Sequence, residues 1–387
     1  MGGNMLNSLY VGNFRALEDF EVKNLGRVNL IVGKNNSGKS TVLEALRIFS
    51  GNANRALLET IAVEHDEKSR LDGSEVIGAD ADLPFSAFFT GRCYPEDDET
   101  MIVIGEAKDD PDALRISHGF LREAEETVEV EGETITRTVR RPIHRKDALS
   151  LSEEAISRAL FVRKSGKSFR IRFDFSGYRM RNSFSEIPIA LPCGLVPTRF
   201  VTIDELSVEW DKVVLTEYES IVKEALTIIS PDFVDLAFVD DNDSSSRRAS
   251  KRYAKVRLSS SPMPVPLNSM GDGVVRVLQL ILKAISAKGG ILLIDEFENG
   301  LHFSVQEKVW GLLFRLASKL NIQIFATTHS WDCIESFANV AIEMKEEEGV
   351  LFRVGRSVRS GDQGRIIATA FDEAQLKNIT QAAVEVR

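Results

Sequence analysis

The sequence is poor in cysteine: Cys93, Cys193 and Cys333 are scattered, odd in number and without metal-ligand spacing. This excludes a disulfide framework and a cysteine-held zinc, and it fits reduced thiols in a cytoplasm. Long apolar runs are missing too. The longest, such as 290–294, falls far short of the roughly 18 residues a membrane span needs. Residues 1–6 lack the charged-then-apolar order of a signal peptide, and the leading MGGNM carries no structural meaning. No heptad pattern is sustained, so a coiled-coil arm is not expected. Nor is there an excess of positive charge. With 48 Lys and Arg against 58 Asp and Glu, the net charge of −10 argues against a general nucleic-acid coat. What remains, 43% hydrophobic and 27% charged over 387 residues, is a globular composition with room for two or three domain-sized units.

The chain is organised around residues 28–49. The apolar run Val28, Leu30, Ile31, Val32 reads as a buried strand, and a helix-period pattern (Val42, Leu43, Leu46, Ile48, Phe49) begins after Gly38. Between them stands Gly33-Lys34-Asn35-Asn36-Ser37-Gly38-Lys39-Ser40, a complete P-loop in strand–loop–helix context, followed by Thr41. The glycines let successive N–H groups turn inward around an anion, and the helix N-terminus adds partial positive charge. The pattern predicts a nucleoside triphosphate, with Lys39 on the β/γ-phosphates and Ser40 on Mg²⁺.

Before it, residues 7–23 predict a two-stranded hairpin with Leu9, Val11, Phe14, Phe20 and Val22 inward. Residues 52–80 predict a helix and a loop. From 83 to 175 the texture is β, with short runs at 85–89, 101–104, 114–116, 127–130, 134–139 and 169–175 and one helix near 152–159. Helical periodicity returns over 199–229, and a strand follows at 234–239. Asp241 and Asp243 sit in a serine-rich turn without the acidic partners of a two-metal site. Three basic clusters, 137–146, 163–181 and 247–257, read as solvated sheet edges or, taken together, as a phosphate-binding face.

The second half of the site follows. The buried strand 290–294 ends in Asp295-Glu296, where the first acid suits the Mg²⁺ shell and the second suits polarising an attacking water. A strand over 322–326 leads to Thr327-Thr328-His329-Ser330, making His329 a candidate γ-phosphate sensor. Between P-loop and Asp295, Ser269-Met270-Gly271 opens the apolar helix 274–285, a second anion-directed helix start. One P-loop with two such starts predicts a composite site, in which one subunit's second terminus caps ATP held by another.

These motifs together resemble a known class. NFRAL at 13–17, GKNNSGKS, SMGDG, LLIDEFENGLH and ATTHS look like the ABC-type ATPases shared by SMC-head, RecF-like and OLD-family proteins. Within that class, residues 295–302 are similar to the DEPE-x-LH pattern of OLD-like ATPases. The resemblance covers residues 5–50, about 199–230 and 265–387. It implies that Ser269 and Gly271 stand for the signature serine and second glycine, Met270 for the first glycine, residues 298–302 for the D-loop, and Arg15 for an arginine near the nucleotide. No Gln-loop is assigned. After Ile342 only a hairpin (350–358, 365–371) and a final helix are expected, where full OLD proteins carry a Toprim nuclease. The likeness is therefore to the ATPase subunit of two-gene phage-defence systems such as PARIS, and it implies an effector in trans.

The expectation is an α/β P-loop NTPase of ABC/SMC-head type with an antiparallel β subdomain and a helical insertion. Its divisions are 5–190 for the P-loop lobe, 191–245 for the helical insertion, and 246–387 for the lobe with signature, Walker B and histidine. Lys39, Glu296 and His329 are its catalytic set; residues 33–41 with Ser269 and Gly271 hold ATP, and Ser40 with Asp295 holds Mg²⁺. The expected function is an ATP-driven homo-oligomeric switch on a nuclease in phage defence. The alternative is a RecF- or SMC-like ATPase that meets DNA directly.

Overall fold

The computed structural model describes residues 5–67, 84–130, 133–152, 155–173, 190–199, 201–240, 252–344 and 348–371. The predicted hairpin is β1 (Leu9–Phe14) and β2 (Leu17–Val22), antiparallel with Val11 opposite Phe20. All five predicted inward residues are buried. Then come β3 (Val28–Val32), α1 (Lys39–Ser50) and α2 (Arg55–Glu64), the last capped by the Asn54 side chain accepting from Leu57 N. β4 (Ile102–Gly105), the long β5 (Leu114–Val130) and β6 (Glu133–Ile143), the short α3 (Arg145–Ala148), β7 (Ile156–Lys164) and β8 (Lys167–Arg172) follow. With β1 and β2 they form an antiparallel sheet in the order β2-β1-β4-β5-β7-β8, with β6 also on β5.

The chain re-enters a second sheet through β9 (Cys193–Val196), then builds α4 (Ile203–Asp211) and α5 (Glu219–Ile229). Thr202 and Glu205 make a reciprocal capping box at the start of α4, a local reason for the helix to begin there. A small antiparallel sheet holds β10 (Phe233–Asp240), β11 (Arg252–Leu258) and β12 (Val265–Pro266). The remainder is α6 (Asp272–Ser286), β13 (Ile291–Ile294), α7 (Phe303–Lys319), β14 (Gln323–Thr328), α8 (Trp331–Glu343) and the hairpin β15 (Gly349–Arg356) and β16 (Ile366–Phe371).

The site is carried by the sheet β16-β15-β3-β14-β13-β9, parallel except for β16. Its central strands are buried on both faces, which is why they read as unbroken apolar runs. Alternate residues divide between two cores. Val28, Leu30, Val32, Leu292 and Ile294 pack with α4 to α8, while Ile31, Ile291, Leu293 and Phe325 pack with α1, α2 and the antiparallel sheet. β3, β14 and β13 are adjacent and parallel, so the turns after all three open at one edge.

Two expectations are corrected. Residues 85–89 are no strand: Pro84–Phe88 is a 3-10 turn, and Phe85, Phe88 and Phe89 are buried against Phe14, Ile48 and Leu58. Aromatic content mimicked β propensity, but these rings fill a core. The helix expected near 152–159 is the start of β7, because pairing with β5 (Ala159 opposite Gly119) overrides the local helical pattern. The final helix, the loop ending at 80, Asp241 and Asp243, and parts of the 163–181 and 247–257 clusters lie outside the described residues.

Candidate active site

The loop after β3 is shaped by contacts that exclude side chains. A Cβ on Gly33 would lie 2.3 Å from Val354 O and 2.7 Å from Ser37 Oγ. Asn36 and Gly38 have φ of 59° and 101°, the left-handed turn that curls the loop back over itself. Gly38 has no side chain to cap α1, so the first N–H groups of that helix face the loop unspent. Lys34, Asn35, Asn36 and Ser40 are exposed, Thr41 is half-buried, and Ser37 Oγ is buried without a hydrogen-bond partner. Lys39 is buried, its ammonium donating to Gly33 O at 2.8 Å and Lys34 O at 3.0 Å. Burial lowers its pKa, while Asp295, Glu296 and Glu298 oppose that. A cation folded onto its own loop carbonyls, an orphaned hydroxyl and free amides fit an anion that replaces them.

β13 delivers the acids. Asp295 accepts from Ser40 Oγ at 3.2 Å, Thr327 Oγ1 at 2.7 Å and Thr198 Oγ1 at 3.0 Å. Thr327 Oγ1 in turn accepts from Glu296 N at 2.9 Å. Glu296 adopts φ 48°, a conformation that costs a non-glycine residue about 1–3 kcal/mol unless its surroundings hold it. They do: Arg276, 1% exposed, donates to Glu296 O at 2.8 Å, Asp295 O at 2.9 Å and Pro197 O at 2.7 Å. Its guanidinium is pushed down to about 10 by burial, against the pull of Asp295, Glu298 and Glu296. Ser40 and Asp295 are hard oxygen donors, the set Mg²⁺ takes when phosphates and water complete its shell. Among the described residues there is no cluster of three or more His, Cys, Asp and Glu that could hold a metal ion.

β14 brings His329 to the same edge. The ring is half-exposed, with Nδ1 3.3 Å from Glu298 Oε1 and 3.6 Å from Glu296 Oε1. The structure thus brings together residues 33–41, Asp295, Glu296 and His329. It does not bring Ser269 and Gly271 to them: both are exposed, in the turn Leu267–Met270 and at the start of α6. Among the described residues neither is hydrogen-bonded to the P-loop. Gly271 has φ 87° and open space around its Cβ position. Arg15 is engaged by carboxylates, 2.7 Å from Glu44 and 2.8 Å from Glu67.

Comparison with known proteins gives two family matches, "AAA ATPase domain" over residues 5–184 and "AAA domain, putative AbiEii toxin, Type IV TA system" over residues 216–332. Over those residues the chain is similar to AAA ATPase domains. It is 23% identical over 346 residues to an ATP/GTP phosphatase of Helicobacter pylori, covering 88% of this chain and 89% of that protein. It is 44% identical over 45 residues to an uncharacterised protein of Methanocaldococcus jannaschii; the match is 12% of this chain and spans a fifth (20%) of that protein. Among solved structures, the SMC head domain from Thermotoga maritima has TM-score 0.41 at 14% identity, covering 95% and 99% of the two chains. An SMC head with extended coiled coil, bound to the C-terminal domain of ScpA derived from Pyrococcus furiosus, has TM-score 0.45 at 11% identity, covering 98% and 99%.

The candidate site holds residues that the sequence did not advertise. Thr198, just after β9, reaches Asp295 from 97 positions away. Thr327, two residues before His329, links Asp295 to the Glu296 backbone. Arg276 left one visible signal, a cation flanked by valines in the apolar first half of α6. Beside Ser40 and Asp295 opens a cavity of about 1000 Å³ between α1, β9, α4 and α6. Its wall cations are paired: Arg47 with Glu64, Arg199 with Glu205, Lys283 with Glu209.

Proposed function

We propose that the chain is a Mg²⁺-dependent ATP hydrolase whose ATP-driven assembly with further copies of itself controls a separate effector. Lys39 and the amides of residues 33–41 neutralise phosphate charge, and Ser40 and Asp295 hold the cation, which when bound supplies further charge neutralisation. Glu296 aims the attacking water, and His329 contacts the γ-phosphate. The exposed Ser269 and Gly271 of a neighbouring copy complete the cage. The carrying observation is the unbroken relay from Ser40 through Asp295 and Thr327 to the backbone of Glu296. It supports a nucleotide end and a water end held in one rigid frame.

The effector reading, a separately encoded Toprim-type nuclease in phage defence in the cytoplasm, draws on the OLD-like residues 295–302. It also draws on a matched family whose description names a toxin–antitoxin system. The DNA-binding reading is less favoured, because many arginines of the basic clusters are already partnered. Arg137 and Arg141 pair with Glu126, Arg140 with Glu123, Arg252 with Asp211 and Arg257 with Asp235. Among the described residues no helix is long and apolar enough to cross a membrane. The test is the native mass of Glu296→Gln by light scattering, with and without Mg-ATP. The proposal expects ATP binding without turnover and a mass above one chain. A monomer under both conditions would refute the composite site, and robust DNA cleavage by this chain alone would refute the effector in trans.

A further inference from the structure

Glu298 is the third acid of the turn after β13, and the roles above leave it unused. Its side chain is only 12% exposed, and one oxygen does most of the bonding. Oε1 accepts from His329 N and Ser330 N, each at 3.1 Å, and lies 3.3 Å from His329 Nδ1. Oε2 is buried without a hydrogen-bond partner. A second carboxylate competes for the same ring, since Glu296 Oε1 is 3.6 Å from Nδ1. The two acids are not equivalent. Glu298 is nearer and is pinned by two backbone N–H groups, whereas Glu296 is held through its backbone and its side chain is 35% exposed.

That asymmetry has a chemical consequence. An imidazole that gives one nitrogen to a fixed acceptor has its ring plane and tautomer set, and presents the other nitrogen to whatever binds at the site. Captured by Glu296 instead, the ring would occupy the carboxylate assigned to the water. We infer that Glu298 is the positioning residue for His329: it takes Nδ1–H, leaves Nε2 for the γ-phosphate, and keeps Glu296 free. The inference rests on the proposed hydrolase reading and deepens it. Fixing the backbone just before α8 would need only the two contacts to His329 N and Ser330 N. It would not require a carboxylate with a buried bare oxygen beside Asp295 and Glu296, where like charges repel.

The experiment is a double-mutant cycle on ATP turnover with Glu298→Gln, His329→Ala and the pair. The glutamine keeps a carbonyl oxygen for the two backbone N–H groups, so the turn before α8 stays held while the charge that attracts Nδ1–H is gone. Glu298→Gln should lower kcat about 10- to 100-fold, the loss expected for a misplaced catalytic group, with KM for ATP changed less than about twofold. In the His329→Ala background the same change should cost nothing further, because Glu298 acts through that ring. Losses that multiply, or a Glu298→Gln enzyme as fast as wild type, overturn the inference. A second readout needs no turnover. With labelled histidine, nitrogen shifts of the nucleotide-free protein should report Nδ1–H at His329, and a mixed tautomer in Glu298→Gln; identical spectra overturn the inference. Glu296→Gln separates the failures. If it hydrolyses ATP like wild type, the hydrolase site itself is wrongly assigned. If it is inactive while the cycle is additive, only Glu298 is.

Discussion

Replacing Arg276 by methionine isolates what its guanidinium contributes to the site. Methionine roughly conserves volume, so the cavity it leaves is small and the loss is polar. Three carbonyls, those of Pro197, Asp295 and Glu296, lose donors at 2.7, 2.9 and 2.8 Å. Each charged hydrogen bond is worth about 1.5–3 kcal/mol, but the three share one group and the neighbouring cavity admits water, so the values do not sum. We expect about 4 kcal/mol, within the range for removing one partner from a buried charged set. Arg276→Lys keeps the charge but loses the fork that serves three acceptors, and should cost about half as much. Urea unfolding followed by circular dichroism measures both. Turnover should fall further than stability explains, since Glu296 at φ 48° loses the hold on its carbonyl. An Arg276→Met protein within about 1 kcal/mol of wild type would refute this account of how the Glu296 turn is held.

Gly33→Ala should displace the P-loop from β15, because the new Cβ would meet Val354 O at 2.3 Å. Stability should drop about 1–3 kcal/mol, and calorimetry should show weakened ATP binding; wild-type affinity would contradict the assignment of the loop. His118 is buried, stacked on Tyr94 at 4.0 Å, with Nδ1 3.0 Å from Arg145 Nη2. Burial, then Arg145 and Arg158, hold it down to about 4, from an ordinary 6.5. The unfolded chain therefore takes the proton first. Stability from the neutral ring is complete above pH 6.5 and is lost as pH falls towards 4, by about 3 kcal/mol at most. Thermal melts of His118→Phe should lose that part of the acid sensitivity, and an unchanged pH dependence would contradict it.

Much of this was legible because the chemistry is local. A parallel strand must be apolar on both faces, so β3, β13 and β14 stand out as runs, and each ends in its functional residues. The P-loop and the turn at residues 295–296 are contiguous in the chain. What stayed hidden is long-range. Thr198 meets Asp295, and Arg276 meets three carbonyls, only after β9 and α6 dock against β13. The tie from Glu298 to His329 needs β13 and β14 side by side. Likewise β7 became a strand by pairing with β5, and Phe85 to Phe89 turned inward because a core lay beneath them. In each case tertiary packing outweighed local propensity.

The central claim is that ATP is bound and cleaved at residues 33–41 with Asp295 and Glu296. Phosphate release from ATP by wild type and Lys39→Ala, with nucleotide binding measured on the same samples, tests it most directly. Among the described residues Lys39 donates only to Gly33 O and Lys34 O, within its own loop, so alanine should leave the fold intact. The account predicts a folded variant that has lost ATP binding, turnover or both; unchanged turnover would contradict it.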